Sequence, residues 1–129
     1  MALIHDTCEI DAGDCPIYGQ DRPDQHEAEL RCIQRLEAHG VAFGHSMLQL
    51  WLEYEEQISI ESRWVKVLDR LMPFIVNIAS GGKNWKEQSI SRSQLLRVNE
   101  PVLRHAPELY EWMLQQIEGF VAAGWLRDA

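Results

Sequence analysis

From Asp24 to Gly124, apolar residues recur every three or four positions, and glycines and prolines cut the pattern into segments of helical length. Strand-like alternation is weak throughout, so a chain of this pattern must build its core from helices. Met1 to about Ala12 reads as a short helix stopped by Gly13, followed by a loop over Asp14–Pro23 that carries Pro16, Gly19 and Pro23. Asp24–His39 is an amphipathic helix with Leu30, Ile33 and Leu36 on one face and Gly40 as its stop. Gly44–Gln57 carries an apolar stripe of Met47, Leu48, Leu50, Trp51 and Tyr54, while Glu53, Glu55 and Glu56 face water.

Ser59 is placed to cap a helix running to about Ala79, whose apolar positions include Trp64, Val67, Leu68, Leu71 and Ile75. Pro73 lies inside it, so a kink or loosened turn is expected beside Asp69, the residue four back. Ser80-Gly81-Gly82 breaks the helix. Ser91 with Gln94 forms a capping box for a short helix through Arg97. Pro107 opens the last helix, which ends near Gly124. The expectation is one all-α domain over 1–129, with about five to six helices.

The 129 residues carry 12 Lys and Arg against 20 Asp and Glu, a net charge of -8. Duplex nucleic acid and anionic membrane surfaces call for clustered basic residues, and here they are scattered. The longest apolar runs, such as Leu71–Ile75, are far too short to cross a bilayer. There is no basic and then apolar leader pattern, so a cytoplasmic location is expected. Cys8, Cys15 and Cys32 are odd in number and fit no metal-ligand spacing, and read as free thiols.

One stretch carries chemistry: His5-Asp6-Thr7-Cys8-Glu9-Ile10-Asp11-Ala12-Gly13-Asp14. On a helix, His5 and Glu9 share a face and Asp6 lies close by. Asp14 follows a glycine at which the chain can turn back. One imidazole with several carboxylates suits a divalent cation such as Mn, Co, Fe, Mg or Zn. Such an ion activates water and polarises a phosphoryl oxygen, and a carboxylate such as Glu9 can serve as general base. A His-Asp pair alone is also what chance would place at a helix end with solvated acids.

The run His5-Asp6-x-x-Glu9-Ile10-Asp11-Ala12-Gly13-Asp14 resembles the metal-binding helix of the HD-domain superfamily, most closely the branch of bacterial 5′-deoxynucleotidases. The similarity continues through Trp51-x-Glu53-Tyr54-Glu55, Glu61-Ser62-Arg63-Trp64-Val65-Lys66-Val67-Leu68-Asp69-Arg70-Leu71 and Gly81-Gly82-Lys83-Asn84-Trp85. The resemblance implies an HD-domain-like helical bundle that hydrolyses a small phosphate ester such as a (deoxy)nucleoside 5′-monophosphate. It implies His5, Asp6 and Asp69 as metal ligands, with Glu9 and Asp14 serving the attacking water and the substrate. The family's first ligand histidine and its phosphate-holding basic residues lie upstream of the His-Asp pair, so the resemblance implies an N-terminally truncated domain.

That departure raises a second reading, a non-catalytic helical module acting through self-association or partner binding. Missing helices would leave an apolar face that favours a homo-oligomer. Gly81-Gly82-Lys83 lacks the spacing of a phosphate loop and reads as a helix break, with Lys83 as a candidate substrate contact. His26, His39, His45 and His105 read as ordinary surface histidines, with His45 a remote candidate for the missing ligand. Trp51, Trp64, Trp85, Trp112 and Trp125 read as core or interface residues.

Overall fold

The computed structural model describes residues 1–19, 22–39 and 44–129. The expected stop at Gly40 and the side chain of His45 lie outside the described residues. The described chain is all-α, with eight helices and no strand beyond an isolated bridge between Ser91 and Arg127. The helices are α1 (Glu9–Ala12), α2 (Gln25–Ala38), α3 (Gly44–Glu56), α4 (Ile60–Ala79), α5 (Lys83–Glu87), α6 (Arg92–Val98), α7 (Glu100–His105) and α8 (Pro107–Ala122). They fall into two compact units, Met1–Val65 and Lys66–Ala129. Among the described residues, no helix is long and apolar enough to cross a membrane.

Local signals place several helix ends. The Ser59 hydroxyl accepts from the Ser62 amide at 3.1 Å and so caps α4. Ser91 and Gln94 form the reciprocal capping box ahead of α6. Pro107 is in the first turn of α8, and Gly124, with φ +72°, lets the chain leave its end. α4 stays helical through Pro73, and buried Asn77 donates its side-chain amide to the Pro73 carbonyl at 3.0 Å. The expected loosening there does not interrupt the helix.

In the first unit, α2 packs against both α1 and α3. The core between them is Cys8, Cys32, Ile33 and Trp51, ringed by Leu30, Leu36, Met47 and Leu48. Trp51 is fully buried and stacks on His26 with ring centres 5.3 Å apart. The second unit is held by aromatic packing. Trp85 meets Phe74 at 5.5 Å and Phe120 at 5.4 Å, and Phe120 stacks on Trp125 at 5.1 Å. Gly82 has φ +68°, and a Cβ there would come within 2.9 Å of Trp125, so both backbone and space demand glycine.

Three sequence expectations change. The helix expected from Met1 is α-helical only over Glu9–Ala12; the first eight residues form successive tight turns, such as Ile4 N–H to the Met1 carbonyl and Thr7 N–H to the Ile4 carbonyl. α4 has apolar residues on two faces. Val67 and Phe74 are buried, but Trp64, Leu68 and Ile75 are exposed, because they lie roughly a quarter-turn further round the same helix. The tryptophans divide likewise: Trp51 and Trp85 are buried, whereas Trp64 is 53% and Trp112 37% exposed.

Candidate metal centre

His5 and Asp6 lie in the tight turns just ahead of α1. The His5 side chain is mostly buried, while Asp6 opens to solvent (12% and 61% exposed). His5 Nδ1 is 2.8 Å from the Ala2 carbonyl oxygen. A carbonyl only accepts, so that bond places a proton on Nδ1, and in the neutral ring Nε2 then carries a lone pair. His5 Nε2 in turn lies 3.1 Å from Asp6 Oδ1. Two acceptor atoms at that separation repel unless a cation, either a second proton or a metal ion, sits with them. A backbone carbonyl fixing the far ring nitrogen is also the usual support for a metal-ligating histidine. The donor set therefore fits a divalent cation. The Tyr54 ring on α3 lies 4.9 Å from the His5 ring and limits its rotation.

Glu9 opens α1 and is partly buried. Burial pushes its carboxyl above the usual range, and repulsion from Asp6, Asp14 and Glu29 adds to the rise. Asp14 is exposed and follows Gly13, whose φ of +75° redirects the chain after α1. Four of the expected residues, His5, Asp6, Glu9 and Asp14, thus share one short segment of the first unit. Asp69 stands on α4, half-buried, one turn before Pro73 and 3.7 Å from the Arg70 guanidinium. Lys83 is the exposed first residue of α5.

Several residues around the segment were not foreseen. Arg35 of α2 forks Asp11, donating from Nε at 2.7 Å and from Nη2 at 3.0 Å. That hydrogen bonding holds Asp11 below the usual carboxylate range. The stabilisation is therefore present above Asp11's unfolded value and fades as pH falls through the lowered one. Arg22 donates to the Ala12 and Gly13 carbonyls at 3.0 and 3.1 Å, and Gln25 donates to Gly13 at 3.2 Å. Cys8 is buried, and burial, with Glu29 nearby, pushes its thiol up to about 12, so it remains protonated and unreactive. Cys8, Cys15 and Cys32 are not in disulfides. His26 is more than a bare surface residue, since Nδ1 lies 2.9 Å from Glu55 Oε2. These pairs join residues far apart in sequence, so no spacing rule could have found them.

The model of the HD domain family matches residues 1–110, a span that runs from the His5-Asp6 turn into α8. No curated protein matches the chain. A solved structure similar to it is that of a predicted metal-dependent phosphohydrolase from Magnetospirillum magnetotacticum MS-1. The two share 30% sequence identity with a TM-score of 0.83, over 96% of this chain and 63% of the other. The chain thus spans less than two thirds of that protein's length. Its helical fold and its match across residues 1–110 together place it: the chain belongs to the HD domain family.

Proposed function

We propose that this chain carries the core of a metal-dependent phosphohydrolase acting on a phosphomonoester, such as a (deoxy)nucleoside 5′-monophosphate. The observation that carries the reading is His5 Nε2 lying 3.1 Å from Asp6 Oδ1, with Nδ1 held by the Ala2 carbonyl. His5, Asp6 and Asp69 would hold the ion, which is Mn, Co, Fe, Mg or Zn by the chemistry of one imidazole and two carboxylates. When bound, the ion supplies Lewis-acid polarisation of a phosphoryl oxygen and acidifies water. A chain of net charge -8 can still take a phosphate ester when such a cation supplies the positive charge.

The protein's own side chains then divide the work. Glu9 accepts the proton of the attacking water, and Asp14 orients water and substrate from the turn after Gly13. Lys83 is the proposed cationic contact for the phosphate. The family match crosses both compact units, which supports a single HD domain over 1–129. The test is turnover of nucleoside 5′-monophosphates with added Mn²⁺ or Co²⁺. Phosphate release above a metal-free control, abolished by EDTA, is expected. Metal binding with no turnover of any phosphomonoester would sink the catalytic reading.

A specific observation favours the second reading, a helical module acting through self-association. Ile60, Trp64, Leu68, Met72 and Val76 recur every four residues along α4, and all five are exposed. A ridge of four-residue spacing can seat in the matching groove of a second copy of the same helix, as an isologous contact requires. Leu68→Glu should therefore lower the apparent mass by size-exclusion chromatography at micromolar concentration without loss of helical circular dichroism. A wild-type chain that elutes as a monomer at that concentration would remove this reading.

A further inference from the structure

The helix that follows His5-Asp6 has only four residues, too few to hold itself. Helix nucleation is costly, and isolated helices below about 12 residues are marginal in water. Its orientation must come from outside. Cys8 anchors its start in the apolar core, but one apolar anchor leaves rotation free. Among the described residues, side-chain hydrogen bonds to Asp11, Ala12 and Gly13 come from α2 and from Arg22, three residues before it. We infer that Arg35 and Arg22 are positioning residues, a two-arginine clamp that sets the direction of Glu9 and Asp14; the inference rests on the metal-centre reading above.

The geometry makes the clamp specific. Asp11 is two residues after Glu9, roughly 200° around the helix, so Arg35 grips α1 from behind the side that presents Glu9. Its two hydrogen bonds to Asp11, at 2.7 and 3.0 Å, fix a plane as well as a distance. Arg22 takes hold at the other end. The Gly13 carbonyl it binds at 3.1 Å belongs to the peptide that leads into Asp14, and Gln25 binds the same oxygen at 3.2 Å. Arg22 also contacts the Gln25 side-chain oxygen, and Gln25 donates onward to Glu29 at 2.6 Å. Electrostatics adds a second effect. Asp6, Asp14 and Glu29 repel the Glu9 carboxylate, and Asp11 is a further acid on the same short helix. Arg35 neutralises one of these acids by its fork on Asp11, and the two arginines hold the backbone that carries the others against that repulsion.

The test uses the full chain with Arg35→Gln, Arg22→Gln and the conservative Arg35→Lys. In the metal-free protein, the Gly13 amide bonds to the Glu9 carbonyl at 2.8 Å and the Ala12 amide to the Cys8 carbonyl at 3.3 Å. Their hydrogen exchange by NMR should quicken by about tenfold or more in both Gln variants, with α3 amides unchanged. Arg35→Lys, which keeps the charge but not the fork, should fall between. Addition of Co²⁺ should give a visible absorption band that shifts in Arg35→Gln, with affinity weaker by about tenfold or more, the range for residues that orient ligands. Unchanged exchange, or a wild-type cobalt band that persists unshifted in Arg35→Gln, would overturn the clamp alone. A wild-type chain with no cobalt band would instead overturn the metal reading on which the clamp depends.

Discussion

His5→Ala is expected to weaken Co²⁺ binding by on the order of 100-fold or more, a larger loss than supporting residues produce. The imidazole is the one nitrogen donor in the proposed set, and its Nδ1 bond to Ala2 turns Nε2 towards Asp6. Without it, the proposed ligand set has only carboxylate oxygens left. Borderline ions such as Co²⁺ or Zn²⁺ should therefore lose more affinity than Mg²⁺, which prefers oxygen. Asp69→Asn keeps the side-chain shape and removes the charge, and should lower affinity for all of these ions together. Phosphomonoesterase activity should fall to the metal-free level in both variants. Calorimetric titration with Co²⁺ and Mg²⁺ checks the pattern. Wild-type affinity in His5→Ala, or an equal loss for both ions, would show that the histidine is not a ligand.

What could be read from the sequence follows the range of each interaction. Ser59, Ser91 with Gln94, and Pro107 act on amides within a turn, so they marked the starts of α4, α6 and α8 directly. The His5-Asp6 segment was visible for the same reason, because its acids are close in sequence. Two short helices, α5 and α7, lay beyond the periodic pattern. α5 has five residues and owes its place to Trp85, which packs on Phe74 and Phe120, neither of them a local neighbour. The contacts made on Asp11 and Ala12 were hidden because Arg35 and Arg22 lie 24 and 10 positions from those partners. α4 shows the limit of periodicity on its own. Its apolar positions included Val67, which is buried, together with Trp64, Leu68 and Ile75, which are exposed, and spacing alone does not separate them.

The largest stability loss is expected from Trp51→Ala, at about 3–5 kcal/mol, the range for truncating a buried aromatic. Trp51 is fully buried among Cys8, Cys32 and Ile33, so nothing from solvent can fill the cavity left behind. Set against a typical domain stability of about 5–15 kcal/mol, that is a substantial fraction of the whole. Trp51→Phe keeps most of the volume and should cost less, about 1–2 kcal/mol. The damage should also reach the metal centre by two short routes. Cys8, two residues after Asp6, loses its packing partner and with it the anchor at the start of α1. Tyr54 lies one turn along α3 from Trp51, and its ring packs 4.9 Å from the His5 ring. A shift of α3 therefore reaches the imidazole through direct contact. Urea denaturation followed by circular dichroism measures the first effect, and Co²⁺ titration of the still-folded protein measures the second. Trp51→Phe should keep near-wild-type cobalt affinity while Trp51→Ala loses it. If Trp51→Ala unfolds at nearly the wild-type urea midpoint, the four-residue cluster is not what holds α1 in place.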